Sequence, residues 1–201
     1  GKKFLSKIDG IFALGIWDNN IKELIIARDS IGIKPIYYTF DDKGTFAFAS
    51  EIKALIKLVR ISKEINIDAL YKYMTFLWCP GDETLLKSVH KLNPGSAMAI
   101  KNGKIIKYWN WYSLPVFQNK INTINLDNSV DGVVSNLRNA VHNQMVSDVP
   151  LGAFLSGGLD SSAIVAFAKE KNPDIECFTI ANKDNDKDGF NDDLPYAKKV
   201  S

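Results

Sequence analysis

The chain of 201 residues carries 46% hydrophobic and 24% charged side chains, as expected for one large or two small globular domains. Its formal net charge is only +2, so charge does not favour nucleic acid as a partner. Cys79 and Cys177 fit neither a metal-ligand spacing nor a disulfide framework, which indicates a reduced, cytoplasmic compartment. No apolar run reaches the ~18 residues of a membrane span, so we expect no membrane partner.

The first half of the chain has the pattern of antiparallel sheet. Its first segment is a continuous apolar run, which predicts a strand buried on both faces. The last hairpin turns at Asn102-Gly103, a strong signal for a two-residue hairpin loop. Three hairpins are predicted, and they join residues 10–17 with 23–28, 36–40 with 45–49, and 97–100 with 105–109.

Two short helices are predicted within this sheet region. Ser50 is a suitable N-cap for a helix over 51–58, which has one apolar face. Asp68 is the predicted cap of a second helix over 69–77. Residues 1–112 therefore favour an α+β domain.

The pattern changes after residue 112. Residues 113–126 have weak periodicity and a polar middle, which indicates an interdomain linker. From Asp127 apolar residues recur at helical spacing for about five turns. The linker therefore separates two regions of different architecture.

A strand, a helix and a second strand follow this long helix. Their ranges, 149–155, 163–171 and 175–180, predict a right-handed βαβ unit with a parallel sheet. Residues 127–201 would then be the start of a doubly wound α/β domain. Because the last predicted helix has no cap before the chain stops, we expect the sequence to be a fragment of a longer protein.

The glycine-rich loop LSGGLDSS joins the predicted strand to the predicted helix. The start of a helix offers unpaired N–H groups, and the helix dipole favours an anion there. Gly157 and Gly158 allow the backbone to bend and to approach a ligand closely. The loop matches neither a Walker A motif nor a nucleophile elbow. Hydroxyl donors for a phosphate would come from Ser156, Ser161 and Ser162.

Asp160 is the acidic residue of this loop. A carboxylate beside phosphate is repulsive unless a cation lies between them, and Mg²⁺ binds one or two carboxylates together with phosphate oxygens. The alternative is that Asp160 only caps the helix and that the glycines form a tight turn. Loop composition alone leaves both interpretations open.

Several motifs in order resemble known proteins. SGGLDSS is similar to the PP-loop of the N-type ATP pyrophosphatases. GIFALGIWD, IARDSIGIKPIYY and ASEIKAL resemble the later half of the N-terminal-nucleophile glutaminase domain of the glutamine-hydrolysing asparagine synthetase family. VHKLNPGSAMAIKNGKIIKYW resembles the join between its domains, and SDVPLGAFLSGGLDSS resembles the start of its synthetase domain.

The resemblance implies a fold and a domain order. Residues 1–112 would be the C-terminal part of a class II glutamine amidotransferase domain, an αββα antiparallel sandwich. Residues 127–201 would be the N-terminal part of an ATP-dependent synthetase domain. A homodimer is left open.

The resemblance also implies a reaction on small molecules. The parent enzyme would convert aspartate, glutamine and ATP to asparagine, glutamate, AMP and pyrophosphate through a β-aspartyl-adenylate. Relatives amidate another carboxylate, in a surface polysaccharide sugar or in amide ring closure such as that of a β-lactam. A non-catalytic nucleotide-binding relative is a third interpretation.

The implied site would bind ATP and its pyrophosphate, with Mg²⁺ held by Asp160. No catalytic residue for glutamine hydrolysis is predicted, because the family uses an N-terminal cysteine and this chain begins with Gly1. The implied binding residues are Leu155, Ser156, Gly157, Gly158, Leu159, Asp160, Ser161, Ser162 and Ile180.

Two further features have structural interpretations. Arg28 and Asp29 match a family position, and a buried structural ion pair is the role we predict. Residues 184–195 match early positions of a calcium-binding EF-hand loop, but Pro195 stands where a bidentate glutamate is required. We therefore expect no calcium site there.

Overall fold

The computed structural model describes residues 2–115, 126–180 and 193–201. The chain divides into two compact units, residues 1–118 and 119–201. Of the predicted linker, residues 116–125 lie outside the described ranges, as do residues 184–192 of the segment considered for calcium. Across the described ranges, no helix combines the length and the apolar character that crossing a bilayer requires.

The first unit consists of two antiparallel sheets with helices. The strand order is β1-β2-β6-β7 in one sheet and β4-β3-β5 in the other. The elements are a 3₁₀ segment (Lys2–Lys7), β1 (Ala13–Asp18), β2 (Glu23–Arg28), β3 (Tyr37–Phe40), β4 (Phe46–Ala49), α1 (Ile52–Leu58), α2 (Ile67–Phe76), β5 (Val89–Lys91), β6 (Ser96–Lys101) and β7 (Lys104–Asn110).

The two sheets pack face to face around a buried core. Ile26 and Met98 of the larger sheet belong to the same cluster as Ile36, with Tyr38 of the smaller sheet packed against it. On the outer face of the smaller sheet, Leu55 of α1 is fully buried. The 3₁₀ segment covers the outer face of the larger sheet with another buried leucine, Leu5, which packs on Ala27 and Ala97. This order of layers confirms the expected αββα sandwich.

The three hairpins form where the sequence predicts them. β1 pairs with β2, β3 with β4, and β6 with β7, all antiparallel. At the last turn, Asn102 and Gly103 both have positive φ angles, 50° and 73°. A type I′ turn requires this conformation at both positions, which explains the Asn-Gly pair.

The prediction that the first strand is buried on both faces is wrong. Every residue of β1 except Leu14 is exposed, and Trp17 is 56% exposed. The cause is the place of β1 in the sheet, because it is the terminal strand and has only β2 as a described neighbour. Apolar composition therefore does not reveal which strand forms the edge.

Both predicted helix caps are also wrong. Glu51 precedes α1 without a side-chain cap, so Ser50 does not cap this helix. For α2, the side chain of Asn66 accepts a hydrogen bond of 3.1 Å from the N–H of Ala69. Asp68 lies two residues too late for this role, inside the first turn of α2. An asparagine just before the helix satisfies a free N–H three residues on, so it replaces the predicted aspartate cap.

Arg28 does not form the predicted ion pair with Asp29. Its Nε and Nη1 each donate a hydrogen bond of 2.8 Å to a backbone carbonyl, and Nη2 donates to a third. The guanidinium thus ties the loop after β2 to the residue that follows β5, through neutral acceptors rather than a carboxylate. The three carbonyls belong to Lys34, Leu92 and Gly32.

Asp29 is instead bonded to the backbone of its own loop. Its side chain is buried and accepts hydrogen bonds of 2.9 Å from the N–H groups of Ile33 and Lys34. Burial alone would raise the pKa of Asp29, but hydrogen bonds from the N–H groups of residues 31–34 outweigh it and hold the pKa below its ordinary value. The carboxylate therefore organises the loop between β2 and β3.

The second unit begins with a long helix and a parallel strand pair. β8 pairs with β9 in parallel, with Ala153 opposite Cys177, which confirms the predicted βαβ unit. Leu155, Val165 and Ala197 form its buried cluster. The elements are α3 (Leu126–Gln144), β8 (Gly152–Phe154), α4 (Leu159–Lys171), β9 (Glu176–Phe178) and α5 (Leu194–Val200).

A polar cluster joins α3 to α4. Nε of Arg138 donates to both carboxylate oxygens of Glu170, at 3.2 and 3.1 Å, and the guanidinium lies over the ring of Phe167. His142 approaches the Phe167 carbonyl oxygen at 3.0 Å. These contacts fix α3 against the helix that follows the glycine-rich loop.

Candidate phosphate-binding site

The glycine-rich loop leaves the carboxyl end of β8, next to the carboxyl end of β9. The N–H of Leu155 donates to the carbonyl of Phe178 at 2.9 Å. In return, the hydroxyl of Thr179 donates to the carbonyl of Leu155 at 2.7 Å. The loop and the exit of β9 therefore lie side by side at the sheet edge where α/β proteins bind ligands.

Gly157 has a conformation and a packing environment that only glycine fits. Its φ angle is +78°. A Cβ atom at this position would lie 2.4 Å from the carbonyl carbon of Tyr196 and 2.5 Å from the backbone nitrogen of Ala197. Gly157 thus allows the backbone of α5 to pack directly on the loop.

Gly158 is the N-cap of α4 and leaves the start of this helix open. The residue is in the extended conformation, and no side chain caps the helix. The first intrahelical hydrogen bond runs from the N–H of Ser162 to the carbonyl of Gly158 at 3.0 Å. The preceding N–H groups of residues 159–161 have no acceptor within the helix. Three donors and the positive end of the helix dipole are therefore available to an anion.

Two of the three predicted serines face each other across the loop. The hydroxyl oxygens of Ser156 and Ser161 are 3.0 Å apart, and the Ser161 hydroxyl also lies 3.2 Å from the carbonyl oxygen of Gly158. The N–H of Ser156 donates to the Ser161 hydroxyl at 3.3 Å. These hydroxyl groups support the loop and can reorient toward a bound phosphate.

The structure separates Ser162 from the other two serines. Its hydroxyl is buried and has no hydrogen-bond partner among the described residues. The residue lines a different cavity, of about 430 Å³, together with Cys177 and Ser201. Of the three predicted hydroxyl groups, only those of Ser156 and Ser161 therefore lie together in the glycine-rich loop.

Asp160 is exposed in the first turn of α4. Because Gly158 is the N-cap and no side chain caps the helix, the alternative that Asp160 caps α4 is wrong. Within the described part of the chain, its carboxylate forms no hydrogen bond or ion pair, and no cluster of three or more acidic, histidine or cysteine side chains could hold a metal ion. The carboxylate is therefore free to bind a metal ion. Mg²⁺ in phosphate sites is bound by one or two carboxylates together with phosphate oxygens of the ligand.

A cavity of about 190 Å³ lies at the ends of β8 and β9. It contains Leu155, Ser156 and Ile180, three residues of the predicted site, and the Ile180 side chain is 81% exposed. Leu159, at the start of α4, is also exposed and lies outside this cavity's lining. The remaining lining residues are Phe154, Phe178, Thr179 and Asp193.

The sequence reasoning missed those four residues. Phe154 and Phe178 are register partners on the two parallel strands, so their side chains lie next to each other. Aligning the last residues of the two predicted strands, Leu155 and Ile180, would have placed Phe154 opposite Thr179, so the predicted ranges do not reveal this pair. Thr179 and Asp193 carry no comparable sequence signal. Together they form a partly aromatic wall beside the loop, suited to a planar apolar group.

Two domain families match the chain in succession. Residues 1–112 match the glutamine amidotransferase domain, and residues 132–201 match the asparagine synthase domain. The chain thus has the domain order of proteins that join a glutamine amidotransferase domain to an asparagine synthase domain.

Similar proteins carry the corresponding names. The chain is 38% identical over 179 residues to asparagine synthetase [glutamine-hydrolyzing] 1 of Bacillus subtilis, covering 87% of the chain and 27% of that relative. It is 35% identical over 209 residues to asparagine synthetase [glutamine-hydrolyzing] 3 of the same bacterium, covering 96% and 33%. A putative asparagine synthetase [glutamine-hydrolyzing] 2 of Methanocaldococcus jannaschii is 32% identical over 202 residues, covering 98% and 37%.

The chain belongs to the glutamine-hydrolysing asparagine synthetase family. It spans only about a quarter to a little over a third of the length of these relatives.

Proposed function

We propose that the protein that carries this chain is an ATP-dependent, glutamine-dependent amidotransferase that makes asparagine from aspartate. The observation that carries the proposal is the open start of α4 beside the exposed carboxylate of Asp160, at the carboxyl ends of two parallel strands. The names of the relatives support asparagine as the product. AMP and pyrophosphate would be the products of ATP.

The loop suits pyrophosphate as a leaving group. When a carboxylate attacks the α-phosphate of ATP, negative charge builds up on the departing pyrophosphate, and donors aimed there lower the barrier. The free N–H groups of residues 159–161 and the hydroxyls of Ser156 and Ser161 would supply these donors. Asp160 would hold Mg²⁺, which neutralises phosphate charge when it is bound.

Each of the remaining predicted residues has a proposed place. Gly157 and Gly158 would allow close approach of the phosphates, while the backbone of Leu155 and Ile180 would contact the adenine side. Leu159 would contribute its backbone N–H. Ser162, predicted as a pyrophosphate donor, would only support the loop, since its N–H bonds to the carbonyl of Gly158 and its hydroxyl lies apart from the serine pair.

The first unit would supply ammonia from glutamine. Its match to the glutamine amidotransferase domain supports this role, and we assign it no catalytic residue. Both cysteines of the chain are free thiols, which supports the cytoplasm as its compartment. Light scattering on the gene product that carries this chain would test the homodimer that the sequence leaves open.

Pyrophosphate release tests the proposal. The gene product would be incubated with ATP, Mg²⁺ and glutamine, and aspartate would be compared with other carboxylates. Release that depends on aspartate would support asparagine synthesis. Release only with a sugar carboxylate or a ring-closing substrate would replace aspartate by that acceptor. A gene product that binds ATP and releases no pyrophosphate with any acceptor would be a non-catalytic relative.

Asp160→Ala tests the role of the loop. Because Asp160 is exposed and has no described partner, the variant should keep its fold and lose activity by about a hundredfold or more. Asp174→Ala is a matched control, since Asp174 is an exposed acid at the other end of α4. Equal activity of the two variants would contradict the role of Asp160.

A further inference from the structure

A second cavity lies in the first unit, and none of the residues assigned above to ATP binding lines it. Its volume is about 590 Å³, within the range of small-molecule sites in proteins. The loops after β2 and α2 form much of its wall. Its lining includes Arg28, Gly32, Tyr73, Trp78, Glu83 and Lys91.

Two cations line this cavity without a carboxylate partner. Arg28 gives its hydrogen bonds to backbone carbonyls, as described above. The ammonium of Lys91 donates to the carbonyl of Cys79 and lies 5.7 Å from the ring centroid of Trp78. Neither side chain forms an ion pair within the described ranges. Both positive charges are therefore held by neutral groups.

The acid of this cavity is already neutralised. Glu83 forms an ion pair and hydrogen bond with Lys72, and this interaction lowers the pKa of Glu83. Asp82 is exposed beside the cavity and contributes a more distant negative charge. The wall consequently has an excess of positive charge.

The two cations also act on each other. Burial is the main cause that lowers the pKa of Lys91, and the positive charge of Arg28 adds to it, while Cys79, Asp82 and Glu83 act in the opposite direction. An anion placed near both cations would offset the repulsion between Lys91 and Arg28. It would also replace the hydration that the Lys91 ammonium loses by burial.

The rest of the wall is apolar and aromatic. Trp78 and Tyr73 are 59% and 42% exposed, and Leu77 beside them is 80% exposed. Large exposed rings next to partly buried cations are suited to a planar apolar group that carries an acidic substituent.

We propose that this cavity binds a small organic anion with a planar apolar part. Its acidic group would lie toward Lys91 and Arg28, and its planar part would pack against Trp78 and Tyr73. The cavity is built entirely from residues of the first unit. The proposal is therefore independent of the ATP reaction.

Two probes of the same shape separate charge from hydrophobicity. The gene product that carries this chain would be labelled with ¹⁵N and titrated with 2-naphthoate and with the neutral 2-naphthylmethanol, and amide shifts would be followed by NMR. We expect 2-naphthoate to shift the amides of Gly32 and Cys79 and to bind about tenfold more tightly than the alcohol. Equal affinity for both probes would overturn the proposal.

Three lysine variants complete the test. Lys91→Met should weaken 2-naphthoate binding about tenfold and remove the preference over the alcohol, and Lys91→Arg should retain both. Lys87→Met is the control, because Lys87 is exposed, pairs with Glu64 and lies outside the cavity lining. The proposal fails if the control loses as much affinity as Lys91→Met. It also fails if no cavity amide shifts at about 10 mM 2-naphthoate.

Discussion

Replacing Gly157 by alanine should destabilise the second unit strongly. The loop places this residue at φ +78°, a region that costs an L residue about 1–2 kcal/mol. The new methyl group would also lie within 2.4–2.5 Å of backbone atoms of α5. Backbone atoms cannot rotate away as a side chain can, so α5 must shift.

The expected loss follows from these two effects. Overpacking of this kind costs about 1–3 kcal/mol, so the sum is about 2–5 kcal/mol of the free energy of unfolding. The displaced contact belongs to the buried cluster that contains Leu155 and Ala197. Loss of that contact would also loosen the end of β8 from which the loop begins.

Urea denaturation followed by circular dichroism measures the loss. Gly132→Ala is a matched control, because Gly132 lies within α3 and a methyl group there meets nothing within 4 Å. The control should gain about 0.5–1 kcal/mol from better helix propensity. A Gly157→Ala variant within about 0.5 kcal/mol of the parent would refute the reasoning about the contact with α5.

Three further substitutions test the first unit in the same assay. Arg28→Met leaves three carbonyls without their donor and should lower the free energy of unfolding by about 2–4 kcal/mol. A loss under about 0.5 kcal/mol would refute the role of these hydrogen bonds. Leu55→Ala removes a fully buried side chain and should cost about 2–5 kcal/mol; a smaller loss would mean that α1 packs loosely. Asp29→Asn should destabilise at neutral pH. Since the folded pKa of Asp29 lies below 3.8, this difference should be complete above that value and disappear as the pH falls through the folded pKa. A difference that is independent of pH would contradict the role of the carboxylate.

Local patterns sufficed to predict the three hairpins and the strand–helix–strand unit, but not the 3₁₀ segment, β5, or the pairing of β2 with β6 and of β3 with β5. Apolar segments separated by turn residues, among them Asn102-Gly103, define the hairpins, and the strand–helix–strand order defines the βαβ unit. Resemblance supplied the layer order of the sandwich. These features depend on neighbouring residues, so they can be read from sequence.

The contacts that shape the candidate site depend on distant segments. Nothing in the loop sequence indicates that α5 packs on Gly157, because the two segments are far apart in the chain. Arg28 likewise donates a hydrogen bond to the carbonyl of Leu92, far along the chain, whereas the sequence predicted an ion pair with the adjacent Asp29. The exposure of β1 follows from its place at a sheet edge rather than from its composition.

The products of ATP test the central claim most directly. The gene product that carries this chain would be incubated with ATP, Mg²⁺, glutamine and aspartate, and its phosphorus products would be identified by ³¹P NMR. If the loop beside Asp160 holds pyrophosphate as a leaving group, AMP and pyrophosphate will accumulate together with asparagine. ADP and inorganic phosphate as the primary products would contradict the account.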